Sequence, residues 1–178
     1  AGTWSADGAN ACDTCLAGTY ASAGSASCSA CSSGTYSDDG SSACTKCDGG
    51  TWSNTSASEC VACAAGKSSG SGASACTDCK GGEYSAAAAA TCSSCAGGTH
   101  SSAGSRNCSA CVGGTYSNAG AASCVACGSG TYSDDRVASS CTSCGAGKFQ
   151  GAIGQTSCSD CPSGRVQADT GEDACSAC

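Results

Sequence analysis

The cysteines constrain this chain most, because all 22 fall in Cys-x-x-Cys pairs that recur at a fixed spacing. The eleven pairs begin 16 residues apart as far as Cys124 and 17 residues apart from there to Cys175. A fixed period indicates a repeat architecture, in which each unit packs against its neighbours. We therefore divide the chain into eight 16-residue repeats (1–128) and three 17-residue repeats (129–178, the last truncated), with no linker or second domain.

Large apolar side chains are too few for a packed core. The 178 residues include one Leu, one Ile, one Phe and five Val, a composition that would ordinarily predict disorder. Covalent loops can replace a core in small disulfide-rich proteins. The sequence therefore predicts a small disulfide-rich fold of mainly short β-strands. We expect an elongated rod or solenoid of stacked, hairpin-like repeats with no hydrophobic core.

The same cysteines place the protein outside the cell or on its surface, because stable disulfides at this density are rare in the cytosol. The net charge is −7 and no basic run exists, which excludes nucleic acid as a partner. No apolar stretch approaches the roughly 20 residues of a membrane span, so we expect no membrane insertion by this segment. Because no signal peptide is visible, we expect a mature form or a segment of a longer repeat protein.

The repeats share a pattern that we describe by position, counting from the first residue of each repeat. Position 2 is glycine in all eleven copies, which predicts a positive φ or the close approach of a neighbour. Position 4 is aromatic in eight copies and holds every Phe, Trp and Tyr of the chain. We expect these rings to form a ladder over the disulfides, and Thr and Ser at positions 3 and 5 to face solvent. Mid-repeat segments such as Asp38-Asp39-Gly40 predict turns.

Three kinds of cysteine chemistry are candidates for Cys-x-x-Cys pairs at this spacing. A redox Cys-x-x-Cys motif requires a βαβ scaffold that is missing here, and eleven copies make no catalytic sense. A four-cysteine zinc site fits the 12 residues between pairs, but eleven pairs cannot be grouped in twos. Structural disulfides are therefore favoured, and we expect no cofactor and no metal.

The favoured disulfide pattern is a ladder, in which the second cysteine of one pair bonds the first cysteine of the next. A crossed pattern, first to first and second to second, stays open, although it too leaves an odd pair. The ladder leaves Cys12 and Cys178 without partners. It predicts these bonds: Cys15–Cys28, Cys31–Cys44, Cys47–Cys60, Cys63–Cys76, Cys79–Cys92, Cys95–Cys108, Cys111–Cys124, Cys127–Cys141, Cys144–Cys158 and Cys161–Cys175.

The pattern of cysteine, glycine and aromatic residue resembles the ephrin-receptor-like cysteine-rich repeat. It is carried by stretches such as Cys31-Ser32-Ser33-Gly34-Thr35-Tyr36-Ser37 and Cys111-Val112-Gly113-Gly114-Thr115-Tyr116-Ser117. It is more distantly similar to the first half-module of tumour necrosis factor receptor domains. In those modules the cysteine before Gly-x-Tyr bonds the cysteine after the turn, so the resemblance supports the ladder. Such repeats occur in receptor ectodomains and in long surface proteins of algae and other protists.

Other side chains offer weaker candidate sites. Asn54 and Asn107 begin N-glycosylation sequons, and the Thr and Ser rows could carry O-glycans. His100 is the only histidine and occupies the aromatic position of its repeat, so we interpret it as a substitute ring. The pairs Asp38-Asp39 and Asp134-Asp135 are interpreted as turn residues, because two carboxylates make a weak calcium site.

No catalytic constellation can be built around a single histidine on a repeating scaffold, so we expect no enzyme. The regular repeats predict a structural extracellular glycoprotein: a rigid rod in a filament, appendage or cell-surface layer. Its expected partners are further copies or a companion subunit. The alternative is the stalk of a receptor or adhesion ectodomain, and ice binding through a hydroxyl ladder is a lesser one. Interrupted hydroxyl rows, for example at Lys67 and Glu83, argue against ice binding.

Overall fold

The computed structural model describes residues 2–178, and over this range the chain forms 22 two-residue β-strands and no helix. Consecutive strands pair as antiparallel hairpins, one hairpin per repeat. The predicted fold class, short paired strands in disulfide-rich repeats, is confirmed. The hairpins are β1 (Thr3–Trp4) with β2 (Asp13–Thr14), β3 (Thr19–Tyr20) with β4 (Ser29–Ala30), β5 (Thr35–Tyr36) with β6 (Thr45–Lys46), β7 (Thr51–Trp52) with β8 (Val61–Ala62), β9 (Lys67–Ser68) with β10 (Thr77–Asp78), β11 (Glu83–Tyr84) with β12 (Ser93–Ser94), β13 (Thr99–His100) with β14 (Ser109–Ala110), β15 (Thr115–Tyr116) with β16 (Val125–Ala126), β17 (Thr131–Tyr132) with β18 (Thr142–Ser143), β19 (Lys148–Phe149) with β20 (Ser159–Asp160), and β21 (Arg165–Val166) with β22 (Ser176–Ala177).

Each hairpin forms where the sequence favours extended backbone, since position 3 is mostly threonine and position 4 mostly aromatic. In the fourth repeat the register pairs Thr51 with Ala62 and Trp52 with Val61. A tight turn then connects one hairpin to the next: at Leu16–Thr19 the Thr19 N–H donates to the Leu16 carbonyl, 3.0 Å away. The third residue of this turn, Gly18, has a φ of +83°, which is the conformation a type II turn requires.

The described residues divide into two compact units. Unit 1 comprises residues 2–79 and Ser85–Cys92, and unit 2 comprises Lys80–Tyr84 and Ser93–Cys178. In unit 1, the position 2 N–H of each repeat donates to the position 5 carbonyl of the next, as Gly34 does to Ser53 at 2.9 Å. In unit 2 the same bond joins Gly98 to Ser117 at 2.8 Å. Within each unit, neighbouring repeats are therefore stacked by their backbones.

The buried residues are cysteines and serines rather than aliphatic side chains. The second cysteine of each pair from Cys15 to Cys144 is at most 2 % exposed, whereas Leu16 is 74 % and Ile153 67 % exposed. Position 5 serines from Ser37 to Ser133 are buried as well. The prediction of a fold without a hydrophobic core is confirmed, and sulfur takes the place of hydrocarbon.

Candidate functional site

The junction between consecutive repeats recurs within each unit, and we treat it as the candidate functional site. Its covalent part is a disulfide from the second cysteine of one repeat to the first cysteine of the next. The ten disulfides among residues 2–178 follow the ladder order, with Cα–Cα distances of 5.7–5.8 Å. Cys12 and Cys178 are free and exposed.

The junction also contains a contact that spans two repeats. The turn of a repeat donates its position 8 N–H to the carbonyl of the second cysteine two repeats earlier: Ala88 to Cys63 in unit 1 and Gly120 to Cys95 in unit 2, both at 2.8 Å. The carbonyl of the same turn residue lies against the position 2 glycine of the earlier repeat. A Cβ on Gly50 would overlap the carbonyl oxygen of Ala88.

Position 2 therefore requires glycine for both of the reasons that the sequence offered. Gly50 has a φ of +87°, which residues with a Cβ rarely adopt, and the neighbouring backbone leaves no room for a side chain. The same overlap recurs at Gly18, Gly34, Gly82, Gly98, Gly114 and Gly130. At Gly147 and Gly164 nothing lies within 4 Å of a Cβ, so there the positive φ alone favours glycine.

The serine at position 5 is part of the junction, and the expectation that it faces solvent is wrong. Ser53 is 1 % exposed, and its hydroxyl donates to the Thr35 carbonyl of the preceding repeat at 2.9 Å. Ser117 does the same to Thr99 at 3.0 Å. The physical reason is space: the gap beside the buried sulfur admits only a small side chain, and Ser69 Oγ lies 3.2 Å from Cys63 Sγ.

Threonine at position 3 also hydrogen-bonds to the backbone. Thr35 Oγ1 donates to the Ser32 carbonyl at 2.6 Å and Thr115 Oγ1 to the Val112 carbonyl at 2.6 Å, and both residues are half-buried. The Thr35 and Thr115 hydroxyls are thus bonded within the fold, as the Ser53 and Ser117 hydroxyls are.

Replacing Ser53 by alanine is expected to weaken one junction by about 1 kcal/mol, because the Thr35 carbonyl loses its buried donor. Hydrogen exchange should report about fivefold faster opening of the amides at this junction. The second repeat offers the matched control, since Ala21 naturally occupies position 5 and is 2 % exposed. Ala21→Ser should slow exchange at its own junction. Unchanged exchange in both variants would contradict a stabilising role for the hydroxyl.

Two of the longer repeats use glutamine at position 5, a role that sequence reasoning missed. Gln150 donates from Nε2 to the Ser157 carbonyl at 2.7 Å and accepts from the Ala152 N–H at 3.0 Å. Gln167 makes the equivalent bonds to Ala174 and Asp169 at 2.8 and 3.1 Å. Each glutamine therefore ties together its own lengthened turn. The sequence contained one signal for this role: both glutamines occur in 17-residue repeats.

The side chain at position 4 lies against the disulfide that follows it. His100 Nδ1 is 3.2 Å from Cys124 Sγ, and Ser68 Oγ is 3.3 Å from Cys92 Sγ. Tyr20 lines a groove with Cys44, and Tyr36 lines one with Cys60. His100 thus occupies the place that a Tyr, Trp or Phe ring takes in most other repeats. It also comes within 4.8 Å of Cys111 and Cys124, but these two sulfurs are bonded to each other and offer no thiolate to a metal.

The remaining candidate residues lie on exposed turns and strands. Asn54 and Asn107 are both exposed. Asp39 Oδ1 accepts the Ala17 N–H at 2.6 Å, and Ser133 Oγ donates to the Asp135 carbonyl at 3.2 Å. The Asp39 carboxylate thus contacts the preceding repeat, and the bonds within the turns are made to backbone carbonyls, that of Asp38 accepting from Ser41 Oγ at 2.7 Å.

The comparisons with known proteins agree with this geometry. Residues 114–154 and residues 136–178 match the sequence model of the family described as tyrosine-protein kinase ephrin type A/B receptor-like. The two matches together span residues 114–178, which is less than half of the chain. The resemblance seen in the sequence is thereby confirmed, and the preceding repeats have the same hairpin and the same disulfide. A search of the curated proteins gave no match.

Ephrin-receptor-like repeats and a dense disulfide ladder together indicate an extracellular module of the ectodomain type, which points to a non-catalytic protein. Among residues 2–178 no helix has the length and apolar character needed to cross a bilayer.

Proposed function

We propose that this chain is a structural spacer: a stack of repeats that forms a rigid rod in an extracellular filament, appendage or cell-surface layer. The observation that carries the proposal is the junction, which fastens each repeat to the next by a covalent bond, a backbone hydrogen bond and, in most repeats, a buried serine hydroxyl. For example, the Ser69 carbonyl accepts the Gly50 N–H at 2.7 Å, and the Ser69 hydroxyl donates to the Thr51 carbonyl at 3.0 Å. Within each unit, repeats joined in this way would resist bending relative to their neighbours.

The outer surface supports the same function. The second strand of each hairpin is exposed, and its residues vary freely, as Thr45-Lys46, Val61-Ala62 and Thr77-Asp78 illustrate. A surface that reads one ligand would need a distinct cluster of side chains, whereas scattered substitutions suit a repeated contact with further copies or a companion subunit. With few large apolar residues, such lateral contacts would use hydroxyls, rings and strand edges.

A second candidate function is the stalk of a receptor or adhesion ectodomain, and the family match at residues 114–178 favours it. In that case the same stiff stack would hold a binding domain away from the membrane. The two functions share the rod and differ in its surroundings. A filament subunit packs beside other chains, whereas a stalk stands alone.

Small-angle scattering tests the rod itself. We expect a maximum dimension far above that of a compact protein of this length, whose radius of gyration would be about 16 Å. Electron microscopy of native material then separates the two functions. Laterally ordered fibres support the structural role, and single rods tethered to a membrane support the stalk. A globular scattering profile would overturn both.

A further inference from the structure

The fourth repeat differs from its neighbours at the turn, where Asn54, Thr55 and Ser56 are all exposed. These residues form an N-glycosylation sequon, which needs an asparagine and a hydroxyl residue two positions later. We infer that Asn54 carries an N-linked glycan and that Asn107, the other sequon asparagine, does not. This assignment goes beyond the proposed spacer function and does not depend on it.

The turn holds the sequon outward by anchoring its backbone instead of its side chains. The Ser56 N–H donates to the Cys31 carbonyl at 2.8 Å, and the Ser56 carbonyl lies against Gly18. The Ser56 hydroxyl and the Asn54 carboxamide are left on the solvent side. Asn54 also lies near the middle of the loop closed by Cys47 and Cys60, seven and six residues from the two cysteines. Closing that disulfide therefore leaves the sequon accessible.

Ser56 stands where most repeats have glycine. Its φ is +58°, in the left-handed region that favours glycine, whereas Gly40 and Gly72 occupy the same position in the adjacent repeats. A serine here strains the backbone, yet it supplies the hydroxyl that the sequon needs. Ala88 has the same φ of +58° in a repeat without a sequon, and nothing in the structure explains it. That residue is useful as a control.

Asn107 is exposed too, but its sequon is locked into the fold. The middle residue, Cys108, is bonded to Cys95, and Ser109 belongs to β14, where it pairs with His100. An enzyme that reads three consecutive residues must have access to their backbone. A sequon that includes a disulfide cysteine and a paired strand residue denies that access once the Cys95–Cys108 loop has closed.

The modification is a group transfer from a lipid-linked oligosaccharide of the secretory pathway. Asn54 Nδ2 forms a bond to the anomeric carbon of the sugar, and the bond between that carbon and the donor's pyrophosphate oxygen breaks. The lipid pyrophosphate leaves with the electron pair, and Nδ2 loses one proton to solvent. The product is a neutral amide, so the charge of the chain does not change.

The test is secretion of the chain from a eukaryotic cell line, followed by intact-mass measurement before and after peptide-N-glycosidase. We expect one enzyme-sensitive glycan, with peptide mapping showing Asn54 converted to aspartate. Ser56→Gly should abolish the glycan while the repeat folds normally, because glycine suits this turn. Ala88→Gly, the same change two repeats later, should leave the glycan in place, and Asn107→Gln should not alter the mass of the glycan.

Three results would overturn the inference: a wild-type protein without a glycan, a glycan that maps to Asn107, or a glycan that persists in Ser56→Gly. Asn54→Gln provides the second variant, and it leaves the turn backbone untouched. If Asn54→Gln retained the enzyme-sensitive mass, the assignment would be wrong regardless of how Ser56→Gly folds.

Discussion

Reduction of the disulfides without denaturant is expected to convert the folded protein into a disordered chain. Each ladder bond closes a loop with a sequence separation of 13 or 14 residues, which stabilises the fold by about 3 kcal/mol if the bond acts by lowering the entropy of the unfolded chain. The interior consists largely of the bonded sulfurs and the serines beside them. Once the bonds are broken, too little apolar surface remains to offset the conformational entropy of the chain.

Far-UV circular dichroism before and after reduction measures this effect, and alkylation followed by mass spectrometry counts the thiols. Without reduction, only Cys12 and Cys178 should react. Non-reducing peptide mapping should recover cross-links such as Cys47 to Cys60 and no bond within a Cys-x-x-Cys pair. A reduced chain that kept its native spectrum, or bound zinc with free thiols, would contradict the ladder as the source of stability.

The period of the cysteines was sufficient to predict the hairpin, and the glycine at position 2 was sufficient to predict a constrained backbone there. A 16-residue unit with one extended Thr-Tyr segment and one turn leaves little choice but two short strands. A glycine present in every copy can only mark a backbone constraint. Gly50 indeed combines a positive φ with a contact that excludes a Cβ. The neighbour that makes this contact could not be foreseen, because a period reveals adjacent repeats and not a turn that reaches back two.

The prediction that the position 5 serine faces solvent was wrong. It combined two rules: side chains alternate between the two faces of a strand, and aromatic rings lie on the buried face. In this fold the space beside the sulfur is too narrow for a ring, so Tyr36 is only half-buried while Ser53 is buried completely. The sequence did contain a signal. Position 5 is serine or alanine in nine of eleven copies, and a solvated face would vary more. Uniform small residues indicate close packing.

Gly50→Ala is expected to be among the most damaging single substitutions outside the cysteines. Alanine at a φ of +87° costs about 1–2 kcal/mol in backbone strain. Its Cβ would also displace the Ala88 carbonyl. That shift strains two hydrogen bonds, from Ala88 N–H to the Cys63 carbonyl and from Gly50 N–H to the Ser69 carbonyl, each contributing about 1 kcal/mol. We expect a total loss of about 3 kcal/mol, concentrated at this junction.

Gly70→Ala is the matched control, because Gly70 lies in the same unit, has no positive φ and has open space where a Cβ would stand, with no other atom within 4 Å. There the loss of chain entropy in the unfolded state should stabilise the protein by up to about 1 kcal/mol. Hydrogen exchange at Cys63 and Ala88 should accelerate about a hundredfold in Gly50→Ala and not in Gly70→Ala. Equal protection in the two variants would show that the turn of one repeat does not brace the hairpin two repeats before it.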